Sequence, residues 1–189
     1  MRLYLVRHAE AEEPTSDGCD PQRRLTANGR RQAARAAAFL GRLGLKPAAM
    51  WHSPLVRAAE TAEILARAVH PRQGPVERAG LNPLDPVGPV ADGLAKLDAD
   101  LVIVGHEPFL GKLAGRLVSG SDSVRAVACG RAGPVCLERS ATGAWMLRWA
   151  VPPEFLKQLP RPRRSPDRAG AKGKGVGHGA SRAARKRRR

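Results

Sequence analysis

Two arginines and two histidines occupy positions where they could hold and transfer a phosphoryl group. Arg7 and His8 follow the apolar stretch LYLV. Arg57 lies in the segment SPLVRAAETA, and His106 ends the apolar run LVIVGH. Guanidinium groups match phosphate oxygens, and a neutral imidazole nitrogen can attack phosphorus to form a phosphohistidine. We therefore predict a phosphate pocket in which His8 is the nucleophile, while Arg7, Arg57 and His106 hold the phosphoryl oxygens.

Strand-like and helix-like segments alternate along the chain, and this order predicts an α/β fold. We expect a three-layer sandwich with a mostly parallel central sheet flanked by helices. Thr26 is a good helix N-cap, and Pro54 and Pro108 suit the first turns of helices. The stretch 70–89 is rich in Pro and Gly and predicts a loop. The predicted elements are strands at 2–7, 48–53 and 100–106, helices at 27–43, 54–69, 90–97 and 108–118, and β-rich segments within 123–150.

This fold should bring the four residues to one edge of the sheet. In open α/β sheets, ligands bind beyond the carboxyl ends of the strands. The N-termini of the helices near Arg57 and after His106 add N–H groups and partial positive charge, which favour an anion. We expect the backbone N–H of Glu107 to contribute there. The charges of Arg7, Arg57 and a protonated His106 should disfavour the imidazolium form of His8.

Less specific interpretations of the same residues stay open at this point. The two histidines could be satisfied loop residues without a chemical role. His8 and Glu10, together with His106 and Glu107, could also bind a metal ion. The adjacent arginine would repel a cation, so we predict no metal site.

Other polar residues lie close to these segments in the sequence. We interpret His52 and Ser53 as structural. Glu60 either pairs with Arg57 or a neighbouring arginine, or it lies in solvent. Three charged residues of the short segment EEPTSDGCDPQRR border the site without an assigned catalytic role: Asp17, Asp20 and Arg24.

Four segments of the chain resemble a known family. LVRHAEA, LTANGRRQA, SPLVRAAETA and VIVGHEP resemble, in the same order, the signature segments of the histidine phosphatase (phosphoglycerate mutase-like) superfamily. The body resembles the SixA-type phosphohistidine phosphatases in particular, over roughly residues 1–159. The resemblance implies a phosphoglycerate mutase-like fold and catalysis without metal or cofactor. It also implies that His8 is the nucleophile and that Arg7, Arg57 and His106 complete its phosphate pocket.

One expected residue of that family is missing from the chain. Larger members usually place a Glu or Asp general acid after the third strand. The corresponding segment is RAGLNPLDP, where Asn82 and Pro83 stand at the acid's place and Asp85 is the nearest carboxylate. An alkoxide leaving group needs a proton donor, because the pKa of its conjugate acid is ~15.7. An imidazole, whose conjugate acid has a pKa of ~6.5, can depart neutral after protonation. The gap therefore favours a phosphohistidine substrate, carried by a signalling or phosphotransfer protein.

Most of the positive charge lies in the last 29 residues. The chain carries 33 Lys and Arg against 17 Asp and Glu, a net charge of +16. Residues 161–189 hold 12 of the basic and one of the acidic residues, a net charge of +11. We therefore predict a domain at 1–160 and a basic, disordered tail at 161–189. The tail could simply be solvated, could bind nucleic acid or another polyanion nonspecifically, or could dock on an acidic protein.

The cysteines and the apolar runs indicate in which cellular compartment the protein is found. Cys19, Cys129 and Cys136 form no CxxC pair and no even set, which favours reduced thiols. The first apolar run is about five residues long and is broken by Arg7, so it does not fit a signal peptide. No apolar stretch approaches the ~20 residues of a membrane span. We predict a cytoplasmic protein without a membrane partner.

Three functions fit this sequence. The first is a phosphohistidine phosphatase that acts on protein substrates through a phospho-His8 intermediate. The second is a broad small-molecule phosphomonoesterase, and a mutase fits less well because it needs an acid and a closed site. The third belongs to another class, a phosphate- or polyanion-binding protein whose basic tail holds nucleic acid.

Overall fold

The computed structural model describes residues 1–14 and 21–159. The predicted tail and the predicted boundary near residue 160 lie outside these residues, so the division into a domain and a tail stays a prediction. Within the described ranges the elements are β1 (Arg2–Arg7), α1 (Ala27–Arg42), β2 (Ala49–His52), α2 (Val56–Val69), β3 (Gln73–Glu77), α3 (Gly88–Ala95), β4 (Leu101–Gly105), α4 (Phe109–Ser119), β5 (Pro134–Arg139), β6 (Trp145–Ala150) and α5 (Pro153–Gln158).

The strands form one sheet in the order β3-β2-β4-β1-β5-β6. The first four of these strands are parallel to one another, and β5 and β6 add an antiparallel edge. β4 inserts between β2 and β1, with Arg7 opposite Gly105 and His52 opposite Val104. The predicted α/β fold with a mostly parallel sheet is therefore confirmed.

Helices cover both faces of the sheet and bury two apolar cores. β1 presents Tyr4 and Val6 to the core under α1, α2 and α5. It presents Leu3 and Leu5 to the core under α3 and α4. Each of these side chains is almost wholly buried, and burying one such apolar side chain contributes about 1.5–3 kcal/mol. The predicted three-layer sandwich is confirmed, and the cores hold the carboxyl ends of β1, β2 and β4 side by side.

The N-terminus of α1 docks directly on the segment that follows β1. Thr26 caps the helix as predicted, because its Oγ1 accepts a hydrogen bond from Gly29 N at 2.9 Å. The same hydroxyl donates to Glu10 Oε1 at 2.6 Å. A Cβ atom at Gly29 would lie 1.9 Å from the carbonyl oxygen of Glu10, so only glycine allows this approach. The start of α1 and the RHAE segment (residues 7–10) are thereby fixed to each other.

Four elements differ from the predictions. The predicted loop at 70–89 contains β3 and the start of α3, and α5 lies where no helix is predicted. β3 has the sequence QGPVE, and Gly and Pro are depleted in strands. It forms because β2 offers it a pairing partner, which makes it an edge strand. α5 has six residues, too few to show a helical apolar period. α2 begins at Val56, two residues later than predicted.

The described residues contain no helix that is both long enough and apolar enough to cross a bilayer. Cys129 and Cys136 are free thiols in buried positions. Burial raises the pKa of both thiols, for Cys136 to about 11, which leaves them protonated and unreactive. Cys19 lies outside the described residues.

Candidate active site

The carboxyl ends of β1, β4 and β2 bring the predicted histidines together. His8 N donates to Gly105 O at 2.9 Å, which continues the pairing of β1 with β4 by one residue. His8 and His106 thus follow neighbouring parallel strands. Their ring centroids lie 4.9 Å apart, and the ring planes are inclined at 52°. The sheet therefore builds a two-imidazole site from segments almost a hundred residues apart in the sequence.

A single backbone carbonyl orients the ring of His8. Its Nδ1 lies 2.7 Å from the carbonyl oxygen of Ala9. A carbonyl oxygen can only accept a hydrogen bond, so the proton of the neutral ring must be on Nδ1. Nε2 then carries the lone pair. This unprotonated nitrogen is the basic atom that a nucleophilic role requires, and the residue is 9% exposed.

The pKa of His8 is lowered to about 4, and burial is the largest cause. The charges of Arg57, Arg7 and Arg131 lower this pKa further, whereas the hydrogen bond to Ala9 raises it. The predicted direction is right, but the arginines are a smaller cause than burial. At neutral pH the ring is therefore uncharged and its Nε2 is unprotonated.

His106 is also neutral in this pocket. Burial lowers its pKa to about 3, and the charges of His8, Arg57 and Arg7 are smaller causes. The prediction that a protonated His106 helps to keep His8 neutral is therefore wrong for the site without an anion. A bound phosphate dianion would favour the protonated form of either ring, because opposite charges attract strongly where water is excluded.

The two predicted arginines enter the site from β1 and α2. Arg7 is the last residue of β1, and its Nε is buried without a hydrogen-bond partner among the described residues. Arg57 lies in the first turn of α2, where its charge lowers the pKa of both histidines. Two positive groups and two neutral imidazoles therefore share one buried edge of the sheet, as an anion pocket requires.

Thr61 ties α2 to the segment that carries the nucleophile. Its Oγ1 donates to Arg57 O at 2.7 Å and accepts from Ala9 N at 3.1 Å. Both bonds are buried or partly buried, so they fix the first turn of α2 relative to His8. No local sequence pattern predicted a role for Thr61. Its position four residues after Arg57 could have indicated this role, because residues four apart share a helix face.

Arg131 also belongs to the site and was missed by the sequence analysis. It forms an isolated parallel bridge with Arg7, and Ala132 N donates to Arg7 O at 2.9 Å. Its charge lowers the pKa of His8. Arg131 lies in the loop between α4 and β5, far from every signature segment, and nothing in the sequence marks it.

Ser53 contacts His106 directly, although the sequence analysis treated it as structural. Its Oγ lies 2.5 Å from His106 Nε2, and Leu55 N donates to the same oxygen at 3.4 Å. Ser53 is fully buried. Within residues 1–14 and 21–159 its hydroxyl proton has no acceptor other than Nε2, so the hydroxyl must donate there to be satisfied. His106 then carries its own proton on Nδ1, which is buried without a partner in the same residues.

His52 turns its Nδ1 to Ser53 O at 2.9 Å, a structural contact as predicted.

The carboxylates of the signature segments are held by other donors. Glu10 accepts from Thr26 Oγ1 at 2.6 Å and from Asn28 Nδ2 at 2.8 Å. Glu107 Oε1 accepts from Cys129 N at 2.9 Å. Neither geometry leaves the carboxylate directed at a cation shared with the histidines, and no group of three possible metal ligands occurs in the described residues. The predicted role of the Glu107 backbone N–H, just before the cap of α4, stays a prediction.

Two further acidic residues have structural roles. Glu60 Oε2 accepts from Leu25 N at 2.7 Å, and its Oε1 pairs with Arg30 at 3.1 Å, so it pairs with a neighbouring arginine. Asp85 Oδ2 accepts from Asn82 N at 2.8 Å and closes a turn in the segment RAGLNPLDP. Asp17 and Asp20 lie outside the described residues, and Arg24 lies 3.8 Å from Glu60.

The chain matches a family and several proteins of known sequence or structure. The model of the histidine phosphatase superfamily (branch 1) matches residues 3–84. An uncharacterized protein of Picosynechococcus sp. (strain ATCC 27264 / PCC 7002 / PR-6) is 38% identical in an alignment of 126 residues, and the alignment covers 64% of this chain and 74% of that protein. This chain belongs to the histidine phosphatase superfamily.

Several solved structures share the fold. The protein histidine phosphatase SixA in complex with tungstate superposes with a TM-score of 0.74 at 22% identity, over 82% of this chain and 99% of that one. A mycobacterial glucosyl-3-phosphoglycerate phosphatase superposes with a TM-score of 0.60 at 18% identity, over 78% of this chain and 96% of that one. At these identities the likeness establishes the phosphoglycerate mutase-like fold that the sequence predicted.

The lowered pKa values of the two histidines predict a pH dependence of stability. Both groups have a pKa below the ordinary value of 6.5 in the folded chain. The unfolded chain therefore binds more protons between that value and about pH 4, and stability falls as the pH falls through this range. We expect the double variant His8→Gln/His106→Gln to lose part of the decrease in Tm between about pH 7 and about pH 5, measured by calorimetry.

His70→Asn is the matched control, because it removes an exposed histidine that lies outside the pocket. Equal Tm decreases in the wild type and the double variant would show that the two imidazoles are not held neutral by the fold.

The Ser53 contact predicts a measurable change in His106. In Ser53→Ala, Nε2 loses its donor, so the ring should become a mixture of tautomers. Nitrogen-15 NMR of the imidazoles would detect this change. We also expect kcat/KM for phosphate release to fall about tenfold, because one buried hydrogen bond is worth roughly 1.5 kcal/mol. Ser123→Ala, on the surface, is the control. A wild-type ring with its proton on Nε2 would contradict this assignment.

Proposed function

We propose that the protein is a phosphohistidine phosphatase that acts on signalling or phosphotransfer proteins through a phospho-His8 intermediate. The proposal rests on one observation above all. A neutral imidazole with a defined lone pair lies in an arginine-rich pocket, while the carboxylates of the neighbouring segments are held by other donors. This arrangement suits a reaction that transfers phosphate between two imidazoles.

The first step forms the bond between His8 Nε2 and phosphorus and breaks the bond between phosphorus and the substrate nitrogen. The substrate ring carries a proton on its other nitrogen, so the electron pair of the broken bond leaves with a neutral imidazole. Arg7, Arg57 and the Nδ1–H of His106 stabilise the charge on the equatorial oxygens. The His8 ring gains positive charge, which strengthens its hydrogen bond to the carbonyl of Ala9.

In the second step, water attacks the phosphorus of phospho-His8. The bond to Nε2 breaks, its electron pair returns to the ring, and inorganic phosphate leaves. His8 recovers the tautomer that the Ala9 carbonyl selects. The conjugate acid of imidazole has a pKa of ~6.5, against ~15.7 for that of an alkoxide, so imidazole is the far better leaving group. Neither step therefore requires the strong general acid that phosphate esters demand.

The comparison with SixA supports this substrate class. This chain covers 99% of that structure, whose name describes a protein histidine phosphatase. The runner-up is a small-molecule phosphomonoesterase, which the likeness to the glucosyl-3-phosphoglycerate phosphatase favours. A phosphate-binding protein with a nucleic-acid-binding tail is the alternative of another class. The cytoplasmic location, independence of metal and cofactor, and polyanion binding by the tail stay predictions.

The ratio of two specificity constants tests the proposal. We expect kcat/KM to be higher for a phosphohistidine protein than for sugar phosphates, because only the imidazole leaves easily without an acid. His8→Ala should abolish release of phosphate from both substrates, while His70→Asn should retain it. Equal or higher activity on sugar phosphates would favour the phosphomonoesterase. Retained activity in His8→Ala would remove His8 from the mechanism.

A further inference from the structure

A second basic cavity lies beside the phosphate pocket. It has a volume of about 110 Å³ and is formed by α1, the loop before β5, and α5. Arg35, Arg131 and Lys157 line it, with Glu154 as its one acidic residue in the described chain. Three positive groups against one negative group leave the cavity with an excess of positive charge. Such a cavity attracts an anion rather than an apolar group.

The backbone holds Arg131 between the two pockets. Ala132, the next residue, is buried and has φ of 56°, in the left-handed region that residues with a side chain rarely adopt. This conformation costs on the order of 1–3 kcal/mol and persists only where the surroundings enforce it. Here Ala132 N donates to Arg7 O at 2.9 Å. The strained residue thus holds Arg131 in register with a residue of the phosphate pocket.

Two glycines bring α5 against the same loop. A Cβ atom at Gly130 would lie 2.7 Å from Pro153 Cδ, and one at Gly133 would lie 2.8 Å from Val151 O. Only glycine permits these contacts. α5 begins at Pro153, so Lys157 follows one turn later and reaches the cavity. The cavity is therefore a consequence of close packing and not of a loosely placed surface helix.

The wall of the cavity is joined to the RHAE segment. Gln32 lines the cavity, and its Oε1 accepts from Glu10 N at 3.0 Å. The charge of Arg131 lowers the pKa of both His8 and Glu10. Arg131 and the bond from Glu10 to Gln32 therefore connect the cavity to the segment that contains His8.

We propose that this cavity binds the carboxylate of an acidic side chain that lies near the phosphohistidine in the protein substrate. The inference rests on the proposed function and narrows its substrate class to phosphohistidine sites with an acidic neighbour. Arg35 and Arg131 provide guanidinium forks that match a carboxylate, and Lys157 adds a third donor group. The cavity would strengthen binding of the protein substrate without contributing to the phosphoryl transfer itself.

Binding of two peptides tests the proposal. Both carry a non-hydrolysable phosphohistidine analogue, flanked by aspartates in one peptide and by asparagines in the other. We expect the wild type to bind the aspartate peptide about tenfold more tightly at low salt, a difference of about 1.4 kcal/mol, and to lose this preference at high salt. In Arg35→Glu/Lys157→Glu the preference should disappear, while affinity for the asparagine peptide stays the same.

The matched control is Lys46→Glu/Arg72→Glu. It reverses the same charges at two exposed residues, one before β2 and one before β3, at the opposite edge of the sheet. It should bind both peptides as the wild type does. Equal affinities of the wild type for the two peptides would overturn the proposal, as would a preference that survives in Arg35→Glu/Lys157→Glu.

The substrate class is tested separately with labile phosphohistidine peptides. If the wild type shows the aspartate preference in binding but hydrolyses neither labile peptide, the subsite stands and the proposed function fails. If it hydrolyses both peptides equally and binds the two analogues equally, the proposed function stands and the subsite fails.

Discussion

The hydrogen bond from His8 Nδ1 to the carbonyl oxygen of Ala9 is the interaction on which the site depends. Nδ1 lies 2.7 Å from this oxygen, which can only accept a hydrogen bond. The bond therefore selects the tautomer with its proton on Nδ1 and a lone pair on Nε2. The rest of the fold keeps this ring in place. β1 and β4 bring it beside His106, and Thr61 and α1 fix the segment that contains Ala9. Burial then keeps the ring uncharged.

The arginines of the pocket have two opposing effects on the reaction. Arginines are needed to bind phosphate, yet their charges and burial both lower the pKa of His8, to about 4. The low basicity weakens the nucleophile but leaves its Nε2 unprotonated at neutral pH. An incoming phosphoryl dianion offsets the arginine charges as it binds. The site is thus organised for a charged substrate. Ser53 occupies Nε2 of His106 and leaves the ring proton on Nδ1, which is buried without a partner in the described residues.

The sequence predicted the parts of this structure that local patterns encode. Buried parallel strands are continuous apolar runs, and Thr26 and the signature segments mark helix starts and pocket residues. It did not predict β3, whose strand depends on pairing with β2, or α5, which is too short to have a period. It also missed the contacts of Ser53, Thr61 and Arg131, because each depends on a partner distant in the sequence. The dominance of burial over the arginines in the pKa of His8 requires the packed structure as well.

The most direct test of this account is rapid quenching of the wild type with a phosphohistidine protein labelled with phosphorus-32. The account predicts a burst of acid-labile, base-stable label on the enzyme, found on His8 by peptide mass spectrometry and absent in His8→Ala. Phosphate release with no such burst, or label on another residue, would contradict the assignment of His8 Nε2 as the nucleophile.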